Sequence, residues 1–186
     1  MDDHPVFSFF PELSSELAII EPHLKGEPME AAMRLYVRTS FAMLEAIGSG
    51  IRDKAAKALM VKFANGDGPI EISRIHLLDD FGMRVESTGK IKRKTTPDIS
   101  FLAHFALGIR ALADAVGDEN EYIQGCGWAA FKSAVKIRNR ITHPKTNDDI
   151  SITAEDFELV NKGIWWAFDT ITEIVKTPNS IFQSTE

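Results

Sequence analysis

Cysteine is nearly absent. Cys126 is the single cysteine in 186 residues, so no disulfide can close within the chain and a reducing compartment is expected. Long apolar runs are lacking too: none approaches the ~18 residues that a membrane span requires, and no membrane partner is expected. The opening "MDDHPVFSFFPEL" carries two acids and reaches proline quickly, where a signal peptide has a basic start and an apolar stretch. A cytoplasmic protein is therefore the expectation. Neither an internal repeat nor a low-complexity tract interrupts the chain. The histidines at 4, 23, 76, 104 and 143 show no ligand spacing among themselves and have no second cysteine to join, so neither a metal nor another cofactor is expected.

What is present fits a globular chain: 44% hydrophobic and 26% charged residues lie inside the ordinary range. A chain of this length can bury roughly 70% of its unfolded surface. The formal charge of −6 argues against a protein that coats nucleic acid with its whole surface. Its distribution is uneven, however. Residues 127 to 147 hold Lys132, Lys136, Arg138, Arg140 and Lys145 and no acid, a local +5. Residues 84 to 94 hold Arg84, Lys90, Lys92, Arg93 and Lys94 against Glu86, a local +4, which leaves −15 for the remainder. An acidic body with basic segments still attracts a polyanion locally.

Helical periodicity dominates. An apolar stretch around Leu13 to Ile20 is followed by a break at Pro22 and "KGEP". Met33, Tyr36, Val37, Phe41, Leu44 and Ile47 then recur at three- and four-residue steps, the stripe of a core-facing helix. "GSG" at 48 to 50 is a candidate kink, and "NGDGP" at 65 to 69 is a loop. Residues 70 to 81 predict a short helix, and Thr88-Gly89 between two mixed runs predicts a hairpin over 82–95 with a basic second strand. That hairpin reads first as a solvated edge and second as an auxiliary RNA contact. Pro97 opens a helix carrying Phe101 to Val116, and a further helix is expected from Glu119 to Thr142, weakened by Gly125 and Gly127. Thr153 with Asp156 resembles a capping box at the start of the last helix, and residues 177–186 form a tail. The expectation is one all-α domain over 1–186, a four-to-five helix antiparallel bundle with a small β-hairpin insertion.

The stretch "IRNRITHPK" at 137 to 145 concentrates polar chemistry. On a wheel at ~100° per residue, Ala130, Ala134, Ile137 and Ile141 cluster as the core seam, with Ile123 and Cys126 nearby. Asn139 and His143 share a face on the order of 170 to 210° away, together with Lys132 and Lys136. Trp128 and Val135 lie beside that face and read as an apolar strip for a partner. Arg138 lies between the two faces, next to Phe131. Pro144 disfavours helix at His143, so the helix should end there and present the ring at the surface. An imidazole can move protons near neutral pH, and a guanidinium can grip a phosphodiester with two hydrogen bonds. Arg140 and Lys145 are further candidates for phosphate contact, by charge. Glu45 is within conceivable reach as a polar partner, with an exposed helical glutamate the plainer reading.

Arg138-Asn139-x-x-x-His143 resembles the catalytic signature of HEPN domains (higher eukaryotes and prokaryotes nucleotide-binding). The wider "GWAAFKSAVKIRNRITHPK" is similar to the third long helix of such a bundle, and "MRLYVRTSFAMLEA" to the early helix of many bacterial members. The resemblance implies a four-helix bundle that dimerises so that two motifs face one cleft. It also implies metal-independent endoribonuclease activity, often in toxin–antitoxin or other defence systems. His143 would then serve in acid–base catalysis, Arg138 would stabilise charge at the phosphate, and Asn139 would orient these groups. RNA, a second copy of the chain and an antitoxin or regulatory protein are the implied partners. A toxin subgroup carries a tyrosine two positions after the histidine for modification by a nucleotidyltransferase; Lys145 stands here instead. Other members have lost catalysis and act as binding modules, which is the alternative reading.

Overall fold

The computed structural model describes residues 10–25, 29–68, 70, 72–78, 82–94 and 99–177. The chain is all-α in class. Among the described residues, six helices run in the order α1 (Phe10–Ile20), α2 (Met29–Asn65), α3 (Ile72–Leu78), α4 (Phe101–Val116), α5 (Gly125–Thr142) and α6 (Ala154–Val175). Single 3₁₀ turns occupy Glu21–Lys25 and Asp148–Ile150. Between α3 and α4, β1 (Gly82–Val85) and β2 (Ile91–Lys94) pair antiparallel, Gly82 with Lys94 and Val85 with Ile91. The chain separates into two compact units: Met1–Ile47 with Glu121–Glu173, and Gly48–Asn120 with Ile174–Glu186.

The first unit contains the first half of α2, α5 and most of α6. Arg34 meets Ile150, Arg38 meets Ile141 and Glu45 meets Arg138, so positions rise on one strand of the pairing as they fall on the other. The first half of α2 and α5 are therefore antiparallel. Phe41 and Phe131 are fully buried with ring centroids 6.1 Å apart, and each such side chain contributes about 1.5–3 kcal/mol by leaving water. Trp166 lies 5.4 Å from the Phe131 ring and 5.5 Å from Trp128.

This cluster depends on two glycines. A Cβ on Gly127 would fall 2.1 Å from the Trp166 indole, and one on Gly163 would fall 2.8 Å from the Phe131 Cα. At Gly163 the obstacle is backbone, which cannot swing aside. The two helices thus approach until main chain meets main chain, each glycine facing an aromatic residue of the other helix. The reciprocal box at the start of α6 completes the arrangement: Asp156 N–H donates to Thr153 Oγ1 at 3.1 Å, and Thr153 N–H to Asp156 Oδ2 at 3.4 Å.

In the second unit, the later half of α2 and α4 bury Ile51, Leu59, Phe105, Ile109 and Leu112. Arg52 is also buried; Cβ atoms on Gly48 and Gly108 would lie 3.3 Å from its Nη1 and 3.0 Å from its Cγ. α2 is helical from Met29 through "GSG" to Asn65. Ser100 caps α4, accepting the Ala103 N–H at 3.3 Å, and Gly117 ends it in the left-handed region at φ 76°.

Several boundaries differ from the periodicity reading. The described part of α3 covers Ile72–Leu78 and Ile70 is outside the helix, while residues 71 and 79–81 of the expected span lie outside the described residues. The described part of α4 begins at Phe101, and Pro97 and the tail from 178 also lie outside the described residues. α5 begins at Gly125 rather than Glu119, because Gln124 is extended and Gly125 takes a positive φ of 74°. Cys126 is accordingly exposed in the first turn instead of joining the seam.

Gly163→Ala is expected to cost about 1–3 kcal/mol by forcing α5 and α6 apart. Thermal unfolding checks it: the midpoint should fall by roughly 2–4 °C per kcal/mol for a chain of this size, and an unchanged midpoint would contradict the close approach.

Candidate phosphate-handling site

α5 carries the polar motif. Ala130, Ala134, Ile137 and Ile141 are buried, whereas Lys132, Lys136, Asn139 and His143 are exposed. Phe131 and Val135 are buried as well, which the single-seam wheel had placed towards or beside the polar side. The cause is that α5 is covered twice, Phe131 meeting Phe41 of α2 and Trp166 of α6. The covered arc therefore spans roughly 160° at ~100° per residue. Val135 is buried and the half-buried Trp128 packs against Phe131 and Trp166, so the strip read as a partner surface is largely taken up within the fold. Arg138, read as a border residue, falls inside the same arc.

What Arg138 does there is specific. Its Nη2 donates to Glu45 Oε1 in a short ion pair, and its Nη1 donates to Asn139 Oδ1 at 3.0 Å. Its guanidinium carbon stands 5.9 Å from the centre of the Phe41 ring, within the range of a cation–π contact. The Arg138 side chain is 20% exposed and that of Glu45 43%.

His143 closes the helix. Its φ of −124° and ψ of 58° leave the helical region, as the following Pro144 requires, while its N–H still donates to the Asn139 carbonyl at 3.0 Å. The ring is thereby presented one turn beyond Asn139 on the exposed face. No family model, characterised protein or solved structure matches the chain. The site rests on its own geometry.

A polar ladder on α2 holds the segment that follows. Glu30 Oε1 accepts the Ile152 N–H at 3.0 Å and pairs with Arg34 at 3.2 Å, and Arg34 donates to the Ile150 carbonyl. Arg38 donates to the Ile141 carbonyl at 2.6 Å, meeting one of the last carbonyls of α5 that the helix itself leaves unpaired. Asp149 Oδ2 accepts the N–H groups of Lys145 and Thr146 at 2.8 and 2.9 Å, which folds the chain just after Pro144. Arg140 donates to the Ser151 carbonyl and to Asp156, both at 2.7 Å. Its donors therefore tie α5 to the start of α6, whereas Lys132, Lys136 and Lys145 remain exposed.

Sequence reasoning named Glu45 but missed Glu30, Arg34, Arg38 and Asp149. Their one signal was local: 30, 34 and 38 stand four residues apart, so they share one face of α2. Among the described residues, no group of three His, Cys, Asp or Glu side chains is placed to hold a metal ion, and no helix is long and apolar enough to cross a membrane.

The backbone N–H groups of Lys145 and then Thr146 hold the Asp149 carboxyl below the ordinary aspartate range, and that of Ile152 does the same for Glu30. A depressed carboxyl supports its loop fully above the unfolded value and loses that support as pH falls through the folded one. On acidification, the amide protons of Lys145, Thr146 and Ile152 should keep their bonded chemical shifts until pH drops below the ordinary carboxylate range. A transition inside that range would contradict these bonds.

Proposed function

We propose that this chain is a HEPN-like RNA-handling protein that cleaves RNA without a metal, working as a homodimer in which two motifs share a cleft. The observation that carries the reading is the exposed face of α5, where His143 and Asn139 stand with Lys136 and Lys132 while the adjacent Arg138 is locked in place. Lysines attract the phosphate backbone, an imidazole moves protons, and an amide donates hydrogen bonds to phosphate oxygens. The helical pairing of α2, α5 and α6 is compatible with the four-helix bundle that this reading expects.

The reaction it describes is an internal transfer. The 2′-oxygen forms a bond to the neighbouring phosphorus as the bond from phosphorus to the 5′-oxygen breaks. The 2′-hydroxyl gives up its proton and the departing 5′-oxygen gains one, leaving a 2′,3′-cyclic phosphate and a 5′-hydroxyl. His143 performs one of these transfers, and a second copy across a dimer cleft would supply the other. Nothing is oxidised or reduced. A toxin or defence role, with an antitoxin or regulatory partner, belongs to the same proposal.

A second reading is favoured by the Glu45–Arg138 pair. With the motif arginine already matched by a carboxylate, the face would hold RNA or nucleotide without cutting it. One experiment separates the two. Purified protein and a His143→Ala variant are incubated with single-stranded RNA in EDTA. The cleaving reading expects cyclic-phosphate ends from the wild type and a rate at least ~100-fold lower from the variant. Equal cleavage by both, or binding without products by either, would reject it.

A further inference from the structure

We infer that Arg138 does not touch the RNA phosphate. With Glu45, it is a positioning residue that turns the Asn139 amide outward, and the Asn139 Nδ2 is the donor that meets the phosphate. This inference rests on the cleaving reading above and assigns the roles within its site.

Each link in the chain of contacts has a direction. Arg138 lies within the covered arc of α5, over the buried Phe41 ring, with its Nη2 on Glu45. A guanidinium with a carboxylate on one side and an aromatic face beneath it has little reason to move. Leaving Glu45 for a phosphate would give up both the ion pair and the contact with the Phe41 ring. Its remaining planar edge presents Nη1 to Asn139 Oδ1 at 3.0 Å. An arginine offers only donors, so the amide end it binds must be the oxygen. That fixes which way the amide faces, a choice the group itself leaves open.

With its oxygen taken, the exposed Asn139 side chain turns Nδ2 to solvent. Asn139 lies in the last turn of α5 and His143, four residues on, is its C-cap, tied back by its N–H donating to the Asn139 carbonyl at 3.0 Å. The donor and the imidazole therefore stand one turn apart on one face, the separation at which side chains on a helix meet a common ligand. Glu45 acts at two removes. Its charge holds Arg138, and Arg138 holds the amide. Removing the charge leaves the donor in place but lets it turn.

The test combines kinetics with a readout that does not need cleavage. Asn139→Ala should lower kcat by about 100-fold, the usual cost of one preorganised donor. Glu45→Gln should lower it by about tenfold through misalignment, with KM within about twofold. Combined with Asn139→Ala, neither Glu45→Gln nor Arg138→Ala should slow the reaction further, because both act through the missing amide. Additive losses in that background would overturn the inference and assign Arg138 directly to the phosphate.

In parallel, a 2′-O-methyl oligonucleotide, which cannot be cut, is titrated into labelled protein. The Asn139 Nδ2 protons should shift while the Arg138 Nε signal holds, and Glu45→Gln should weaken the Asn139 response. A shifting Arg138 signal with a silent Asn139, or silence from both on binding, would overturn the inference. Wild-type cleavage undiminished in His143→Ala would instead sink the underlying reading. Neither cleavage nor binding would overturn both.

Discussion

The meeting of main chain with main chain at Gly163 and Phe131 is the constraint from which the motif's presentation follows. It sets α5 and α6 so close that Trp166 must cross Gly127 and stack near Trp128 and Phe131. With α6 pressed on one flank and α2 on another, α5 has a single open face. Asn139 and His143 of the motif occupy that face, whereas Arg138 lies within the covered arc. A larger residue at 163 would loosen the flank and blur the division between covered and open sides.

The second layer is electrostatic and local to the end of α5. A helix leaves its last carbonyls without partners, and here Arg38 takes one of them at Ile141. The chain beyond Pro144 is then tied at Lys145 and Thr146 by Asp149, at Ile150 by Arg34 and at Ile152 by Glu30. Each tie is individually modest, about 0.5–1.5 kcal/mol for a neutral pair and more where a charge takes part. Together they give a proline-terminated helix end a defined exit. A loose exit would let the His143 ring wander, and the proton transfer proposed for it needs a fixed distance.

Much of this was legible in order. The seam of Ala130, Ala134, Ile137 and Ile141, the open face of Asn139 and His143, and the Thr153–Asp156 box all follow from spacing within one helix or turn. The errors share a cause. Val135 was misplaced because a wheel knows one helix, whereas α5 has neighbours on two sides; Arg138 is half-buried, as its border position on the wheel implied. Cys126 was placed near the seam because nothing local to it reports that Gln124 is extended and that the helix starts at Gly125. Arg38 and Glu30 reach partners more than 100 residues away in sequence, and no local pattern encodes such a pairing. Arg140 looked like a phosphate ligand by charge alone; its distance from Asp156 in space is a property of the α5–α6 turn.

The central claim is that the open face of α5 is where RNA binds. It is tested most directly by the salt dependence of affinity for a non-cleavable 2′-O-methyl RNA, comparing the wild type with a Lys132→Glu/Lys136→Glu variant. Each phosphate contact on a single strand adds about −0.7 to the slope of log affinity against log salt. The account predicts a slope flatter by roughly 1.4 in the variant, with weaker binding, and no change for charge reversal at the exposed Arg110 of the other unit. Equal slopes in the wild type and the α5 variant, or a loss confined to Arg110→Glu, would contradict it.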